Sequence, residues 1–374
     1  MSARRRIAAR MAEAAQALLD TLAAEQRRVA QWAFPWDAER RLWFYTPTDH
    51  GGLTLGEMSP TQQQATMRLL ATGLSRAGFV TASTIMGLEN ALDEFEGWRS
   101  SFGFDRGRDP ARYYLRVFGT PGADTWSWRF GGHHISIHHT IADGEVRAFT
   151  PCFFGADPAS APLLGPHPLR PLAGCEDFAF ELLRSLSEEQ RSVAVLSPVP
   201  PIDLVGANRT VLSDGDAPLR LNQIWRNEFT GELHDFFERF QDAEEAKIGL
   251  TPSHIEALRF TTAPKGLAAA AMSTSQQDIL RALIDVYVHR LPDHIADAEM
   301  AKITGASFQS LHLAWAGGEE RGRPHYYRIQ GHRLLIEYDN TTRDGNHIHA
   351  VWRDPVADFG ADALSVHHRE AHQH

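Results

Sequence analysis

Two stretches of the chain each combine an aromatic-rich run, a Gly-His pair and a run in which apolar and polar residues alternate. They are WRFGGHHISIHH, residues 128–139, and YRIQGHRLLIEY, residues 327–338. Alternation with a period of two is typical of β-strands, and a short Gly-containing link between two such runs favours a hairpin. We therefore predict one β-hairpin in each half of the chain.

Helical spacing of apolar residues marks other stretches. The predicted helices span residues 8–31, 60–76, 178–193, 231–247 and 275–289. Two of them begin with S-x-x-Q, at Ser59 to Gln62 and at Ser273 to Gln276, a spacing that predicts a capping box at the helix start. Pro60 occupies the favourable first helical position in one copy.

These elements recur in the same order, which indicates an internal duplication. Residues 18–30, LLDTLAAEQRRVA, match residues 182–194, LLRSLSEEQRSVA, at eight of 13 positions. Each hairpin is followed by Asp-Gly and then by FGAD, at residues 154–157 and 359–362. The alternative is that similar caps and hairpins coincide through composition alone.

The expected fold class is α+β, with two helix-plus-antiparallel-meander halves related by a pseudo-two-fold axis. A Pro-rich link over residues 156–174 separates the halves. We place the first half at residues 1–164 and the second at residues 165–374, and we expect the two to pack as one body.

Composition narrows the classes of function. The 374 residues carry a formal charge of −10, and the one basic cluster lies at the extreme N-terminus, which argues against nucleic acid as a partner. The apolar runs are shorter than the ~18 residues that a membrane span needs, and the N-terminus lacks a signal-peptide core. The only two cysteines form no CxxC motif. We expect a cytoplasmic protein with no membrane partner.

The segment GNHIHAVWRD, residues 345–354, contains the strongest candidate for chemistry. In a strand, His347 and His349 lie on one face, roughly 7 Å apart, and two such imidazoles can bind one metal ion. A carboxylate from the preceding strand would complete the set, and Glu337 is the natural candidate. His134 and His138, on the equivalent strand of the first half, would complete or flank the pocket.

Histidine pairs also arise without any metal, since the chain has 19 histidines. On that alternative, the histidine-bearing strands are structural and their imidazoles bond to backbone carbonyls. Other enzyme classes lose weight, because the chain lacks a P-loop, a G-x-S-x-G nucleophile elbow and a G-x-G-x-x-G turn after a strand.

Taken together, SLSEEQR, WSWRFGGHHISIHHT, EYDN and NHIHAVWRDPVADFGADALSVHH resemble the bacterial domain-of-unknown-function 3500 family over nearly the whole chain. The resemblance implies that these segments belong to one unit. It supplies no reaction.

The sequence thus favours a mononuclear metal enzyme that acts on a small molecule. Two histidines and one carboxylate suit non-haem iron, so we expect iron and redox chemistry first. Zinc with hydrolytic chemistry, copper, manganese and a non-catalytic metal- or ligand-binding protein stay open. Asp339, Asp354 and Arg353 are the candidates for proton transfer or for orienting the ligands.

Overall fold

The structure is a computed structural model that describes residues 2–35, 37–162 and 166–361. The expected boundary between the halves, at residues 164 and 165, and Asp362 of the second FGAD lie outside these residues. Among the described helices, none is long and apolar enough to cross a membrane.

The described chain contains both helices and strands, which confirms the α+β class. The helices are α1 Ala3–Leu19, α2 Ala24–Ala30, α3 Asp37–Arg40, α4 Pro60–Gly73, α5 Arg76–Phe95, α6 Ala173–Ser185, α7 Glu188–Ala194, α8 Gly231–Ile248, α9 Pro252–Leu258, α10 Thr274–Val288, α11 Asp293–Met300 and α12 Gly305–Gln309. The strands are β1 Gln31–Trp32, β2 Leu53–Thr54, β3 Tyr113–Phe118, β4 Trp126–Gly132, β5 Ile135–Ala142, β6 Glu145–Ala148, β7 Cys152–Ala156, β8 Val195–Ser197, β9 Leu267–Ala268, β10 His312–Gly317, β11 His325–Gln330, β12 Leu335–Asn340 and β13 Ile348–Arg353.

All of these strands belong to one mixed sheet. Its order is β1-β3-β4-β5-β7-β13-β12-β11-β10-β8. In addition, β2 pairs with β3, β6 with β5 and β9 with β10. The central pair, β7 with β13, is antiparallel and sets Cys152 opposite Trp352 and Gly155 opposite His349. One sheet therefore contains strands from both parts of the sequence.

The two faces of the sheet have different covers. One face packs against helices in the main core, where Trp128, Tyr327 and Trp352 meet residues of α1, α4, α6 and α10. The other face carries Phe153 and Val351 and is covered by irregular segments that include Tyr45 and Leu204. His349, two residues from Val351 along β13, lies on the face that irregular segments cover.

The predicted capping boxes at Ser59 and Ser273 are confirmed. Each serine hydroxyl accepts from the backbone N–H of the glutamine three residues on, and that glutamine's side chain accepts from the serine N–H. Both hairpins are present as well, as β4–β5 and β11–β12.

Some helix bounds differ from the prediction. The stretch 8–31 is two helices, α1 and α2, and 178–193 is likewise α6 and α7. The breaks occur where side chains cap a new helix: the Gln26 amide oxygen accepts from Ala23 N–H, and Ser187 caps α7. The long helix α5 was not predicted, because its first part is rich in Gly, Val, Thr and Ile, which have low helix propensity.

His139 lies on the helix-covered face of the sheet, and its burial makes the stability of the fold depend on pH. The His139 ring stacks on Trp128 with centroids 4.7 Å apart, and burial lowers the pKa of His139 to about 3 from its ordinary value of 6.5. The folded state thus binds fewer protons than the unfolded state, so this contribution to stability is complete above pH 6.5 and is lost as the pH falls towards 3.

Below the unfolded-state pKa of His139, we expect the free energy of unfolding to fall less steeply with decreasing pH in His139→Phe than in the wild type, by about 1.4 kcal/mol per pH unit. Urea unfolding of the wild type and the variant across this pH range measures the difference. His234→Phe, at a side chain that is 43% exposed, is the control. Parallel curves for the wild type and His139→Phe would contradict the expectation.

Candidate metal centre

Three of the predicted ligands come together on the loop-covered face. His134 lies in the β4–β5 turn, His349 lies in β13, and His347 immediately precedes that strand. One ring nitrogen from each of the three lies within 4.8 Å of the others. We call this group the histidine cluster.

The backbone around His134 fixes where its ring points. His134 has a φ of 63°, a backbone conformation that residues other than glycine seldom adopt, so the turn holds His134 under strain. Its N–H donates to the Tyr45 carbonyl at 3.0 Å, and its carbonyl accepts from Gly155 N–H at 2.8 Å. A Cβ at position 155 would lie 2.6 Å from the His134 ring, so glycine is required for this close approach.

Within the histidine cluster, the His134 and His347 Nε2 atoms are 2.8 Å apart. The ring centroids of His347 and His349 are 4.5 Å apart, and those of His134 and His349 are 5.4 Å apart. His134 is buried, whereas the side chains of His347 and His349 are 19% and 12% exposed. The histidine cluster is therefore reached from solvent on the side of β13.

The Nδ1 atoms of His347 and His349 both contact polar side chains. His349 Nδ1 lies 2.8 Å from Asp203 Oδ1, and His347 Nδ1 lies 2.7 Å from Thr342 Oγ1. The Tyr45 hydroxyl donates to the other Asp203 oxygen at 2.7 Å. Metal-binding histidines generally have such a partner, which fixes the tautomer and the ring orientation.

The electrostatics favour neutral rings. Burial, with smaller contributions from neighbouring histidines and arginines, holds the pKa of His134 and the pKa of His347 well below the ordinary value of 6.5. A neutral imidazole is the form that binds metal. These two rings can thus act as ligands at neutral pH without first losing a proton.

A carboxyl group lies next to the His349–Asp203 pair. Asp339 is directly opposite His349 in the β12–β13 register, and its Oδ2 is 3.9 Å from His349 Nδ1. Burial and the nearby charge of Asp203 raise the pKa of Asp339 well above its ordinary value. Its other oxygen accepts a hydrogen bond from the Thr341 hydroxyl. Asp203, Asp339 and His349 form a second group whose spacing could hold an ion.

A third possible group, Glu89 with His133 and His134, lies on the buried side. The rings of His133 and His134 stack with centroids 3.7 Å apart, and His133 Nδ1 contacts the Glu89 carboxyl. Burial raises the pKa of Glu89 to about 8. Glu89 thus holds the ring of His133, and the ring of His133 packs against the ring of His134.

Glu337, which we expected to be the carboxylate ligand, is not brought to the histidine cluster. The register places it opposite Val351, two residues from the position across from His349. Its carboxylate instead accepts from the backbone N–H groups of Val205 and Gly206 and from the Tyr326 hydroxyl. Its oxygens are occupied in holding the covering segment onto the sheet.

His138 is also outside the histidine cluster. It is four residues along β5 from His134, a separation of roughly 13 Å in a strand. Its Nε2 lies 3.1 Å from Ser136 Oγ, and its ring meets the edge of Phe359.

Two of the three residues expected to transfer a proton or to orient the ligands are remote from the histidine cluster. Arg353 and Asp354 lie near the far end of β13, roughly 13 Å or more from His349 in an extended strand. They do not pair with each other: Arg353 binds Asp358 at 2.7 Å, and Asp354 binds Arg333 at 2.8 Å. Asp339 alone among the three lies beside the histidine cluster.

Sequence reasoning missed Asp203, Thr342 and Tyr45. Thr342 lies in the NTTRDG turn just before the HxH segment, so its position was a usable signal. Asp203 and Tyr45 are far from the histidines along the chain, and no local pattern marks them.

Comparison with known proteins adds the family and nothing on chemistry. The family model described as a protein of unknown function (DUF3500) matches residues 4–361. Neither the curated proteins nor the solved structures contain a match. Because the match covers nearly the whole chain, the protein belongs to the DUF3500 family.

Proposed function

We propose that this protein is a mononuclear metal-dependent enzyme whose ion is held by His134, His347 and His349. The observation that carries the proposal is the convergence of three ring nitrogens. In addition, Asp203 contacts Nδ1 of His349 and Thr342 contacts Nδ1 of His347, which orients these two rings. This arrangement differs from the structural alternative, because the Nδ1 partners are side chains and not backbone carbonyls.

The three-imidazole set favours zinc and hydrolytic chemistry. Three histidines with one open position are the ligand set of several catalytic zinc sites, and a zinc ion bound there would lower the pKa of a water molecule to near 7. The set of two histidines and one carboxylate that suits iron requires Glu337 as a ligand, and the Glu337 carboxylate is held by other groups.

An iron oxidoreductase is the second candidate. It is favoured by the group of Asp203, Asp339 and His349, which offers carboxylate oxygens next to an imidazole. Non-haem iron oxygenases use two imidazoles and one carboxylate, so this group would need a second imidazole from the histidine cluster.

The protein's own groups have definite parts in the proposal. Asp203 accepts from His349 Nδ1–H, which leaves Nε2 with its lone pair for the ion. The Tyr45 hydroxyl donates to Asp203, and burial keeps the pKa of Tyr45 well above 10, so it stays a donor. Asp339 can hold a proton beside this chain of hydrogen bonds because its pKa is raised.

We infer a small-molecule substrate from the limited exposure of the histidine cluster. His134 is 2% exposed, and His347 and His349 are only partly exposed. A large polymer would not reach Nε2 atoms at this depth.

We also infer that the two halves of the chain arose by duplication. In the first half, Gln26 and Gln62 exchange amide hydrogen bonds, and in the second half Gln190 and Gln276 do the same. The order of strands from each edge of the sheet to its centre is also alike, β1-β3-β4-β5-β7 and β8-β10-β11-β12-β13. Composition alone would not produce the same long-range side-chain pairs twice.

The metal proposal predicts near-stoichiometric zinc, or another transition metal, in protein purified without chelators. We expect His347→Ala with His349→Ala to lose this metal while staying folded, because two of three ligands are gone. Elemental analysis with circular dichroism measures both. A double variant at His234 and His312, outside the histidine cluster, should keep the metal. Equal metal content in all three proteins, or none in the wild type, would reject the proposal.

The role of Asp203 predicts that Asp203→Asn lowers metal affinity by about 10- to 100-fold, because His349 loses its charged partner. Competition with a chromophoric chelator measures the affinity. If Asp203→Asn binds metal as tightly as the wild type, Asp203 does not position His349.

Glu337→Gln is the matched control and a separate prediction. We expect unchanged metal affinity, with a loss of about 1–3 kcal/mol in the free energy of unfolding, since Glu337 holds Val205, Gly206 and Tyr326. Chelator competition and urea unfolding give the two quantities. A metal affinity that falls as far as in Asp203→Asn would restore Glu337 as a ligand.

A further inference from the structure

A cavity of about 410 Å³ opens on the helix-covered face, away from the histidine cluster. It lies between residues 147–150, the β11–β12 turn at 332–334, the end of β13 and the α11–α12 region. Trp352 lines it, and side chains of neighbouring strand residues alternate between faces, so His349 lies on the opposite face of the sheet. The cavity has the volume of a pocket for a small organic molecule.

The inner wall of this cavity is apolar and aromatic. The rings of Phe149 and Trp352 lie with centroids 5.4 Å apart, tilted by 38°. Leu311, Leu334 and Ile303 complete this wall. Both aromatic rings belong to the buried core, so their positions are fixed before any ligand arrives.

The mouth of the cavity is cationic. The side chains of Lys302, Arg333 and Arg147 are 63%, 53% and 38% exposed. The two carboxylates of the lining, Glu299 and Asp354, are only 14% and 20% exposed, and each pairs with one of these cations. Arg147 pairs with Asp143 and Glu145, which do not line the cavity. Within the lining, the cations are therefore more exposed than the carboxylates, on a chain whose overall charge is −10.

We propose that this cavity binds a small amphipathic anion, with a flat apolar body against Phe149 and Trp352 and its acidic group at Lys302 and Arg147. Apolar walls supply most of the affinity of such pockets, and a few polar groups fix the orientation of the ligand. The proposal is independent of the metal centre, because no group of the histidine cluster lines the cavity.

The position of the cavity in the sequence repeat is consistent with a second site. Alignment of the two hairpins places His332 and Arg333 where His133 and His134 stand in the first half. The β4–β5 turn supplies the imidazole of His134 to the histidine cluster, and the aligned β11–β12 turn supplies the guanidinium of Arg333 to the cavity.

Two fluorescent probes with the same kind of body and different charge test the proposal. 8-Anilinonaphthalene-1-sulfonate carries an anilinonaphthalene body and a sulfonate, and N-phenyl-1-naphthylamine has that body without the charge. We expect saturable binding of the sulfonate to the folded full chain, tighter than binding of the neutral probe. Equal affinities, or no saturable binding of the sulfonate at millimolar concentration, would overturn the proposal.

Variants locate the binding. Lys302→Ala with Arg147→Ala should weaken the sulfonate by about five- to tenfold and leave the neutral probe unchanged. The control is Arg191→Ala with Arg259→Ala, at side chains that are 37% and 38% exposed and outside the cavity. An equal effect of both double variants on the sulfonate would reject the assigned mouth.

Ser310→Trp tests the cavity itself without altering the core. Ser310 is exposed and lines the cavity, so an indole there should fill the entrance and weaken both probes. Unchanged binding of both probes in Ser310→Trp would show that they bind elsewhere and would overturn the proposal.

Discussion

The antiparallel pairing of β7 with β13 is the constraint on which the candidate site depends. Gly155 of β7 lies opposite His349, and its N–H also bonds to the carbonyl of His134. One glycine thus joins the β4–β5 turn to β13, the strand of the HxH segment. A shift of the pairing by one residue would turn His349 towards the helix-covered core.

The cost of burying polar groups explains why the site is built as a network. A buried charge without a partner is strongly unfavourable, so buried histidines stay neutral and buried carboxyls either pair or keep a proton. The directions of the pKa shifts of His134, His347 and Asp339 follow this rule. The rings of His134 and His347 are thus held in place in the neutral form, which is the form that binds a metal ion.

Part of the fold and of the site could be predicted because local patterns report local structure. Capping boxes, hairpins and the HxH segment are each defined within a few residues, and those features stand in the structure. His134 entered the predicted set because residues 128–139 resemble residues 327–338 in sequence.

What could not be predicted depended on register and on long-range contacts. Glu337 and Asp339 share a face of β12, and only the pairing with β13 decides which one faces His349. Asp203 reaches His349 across 146 residues of sequence, and Tyr45 reaches Asp203 across 158. The covering segments that carry these groups have no periodic pattern to reveal their partners.

X-ray absorption spectroscopy of the zinc-loaded protein tests the central claim most directly, since it reports the ligands of the ion itself. We predict a four-coordinate ion with three imidazole nitrogens at about 2.0–2.1 Å and one further light atom. An ion bound mainly by carboxylate oxygens, or by fewer than two imidazoles, would contradict the assignment of His134, His347 and His349 as ligands.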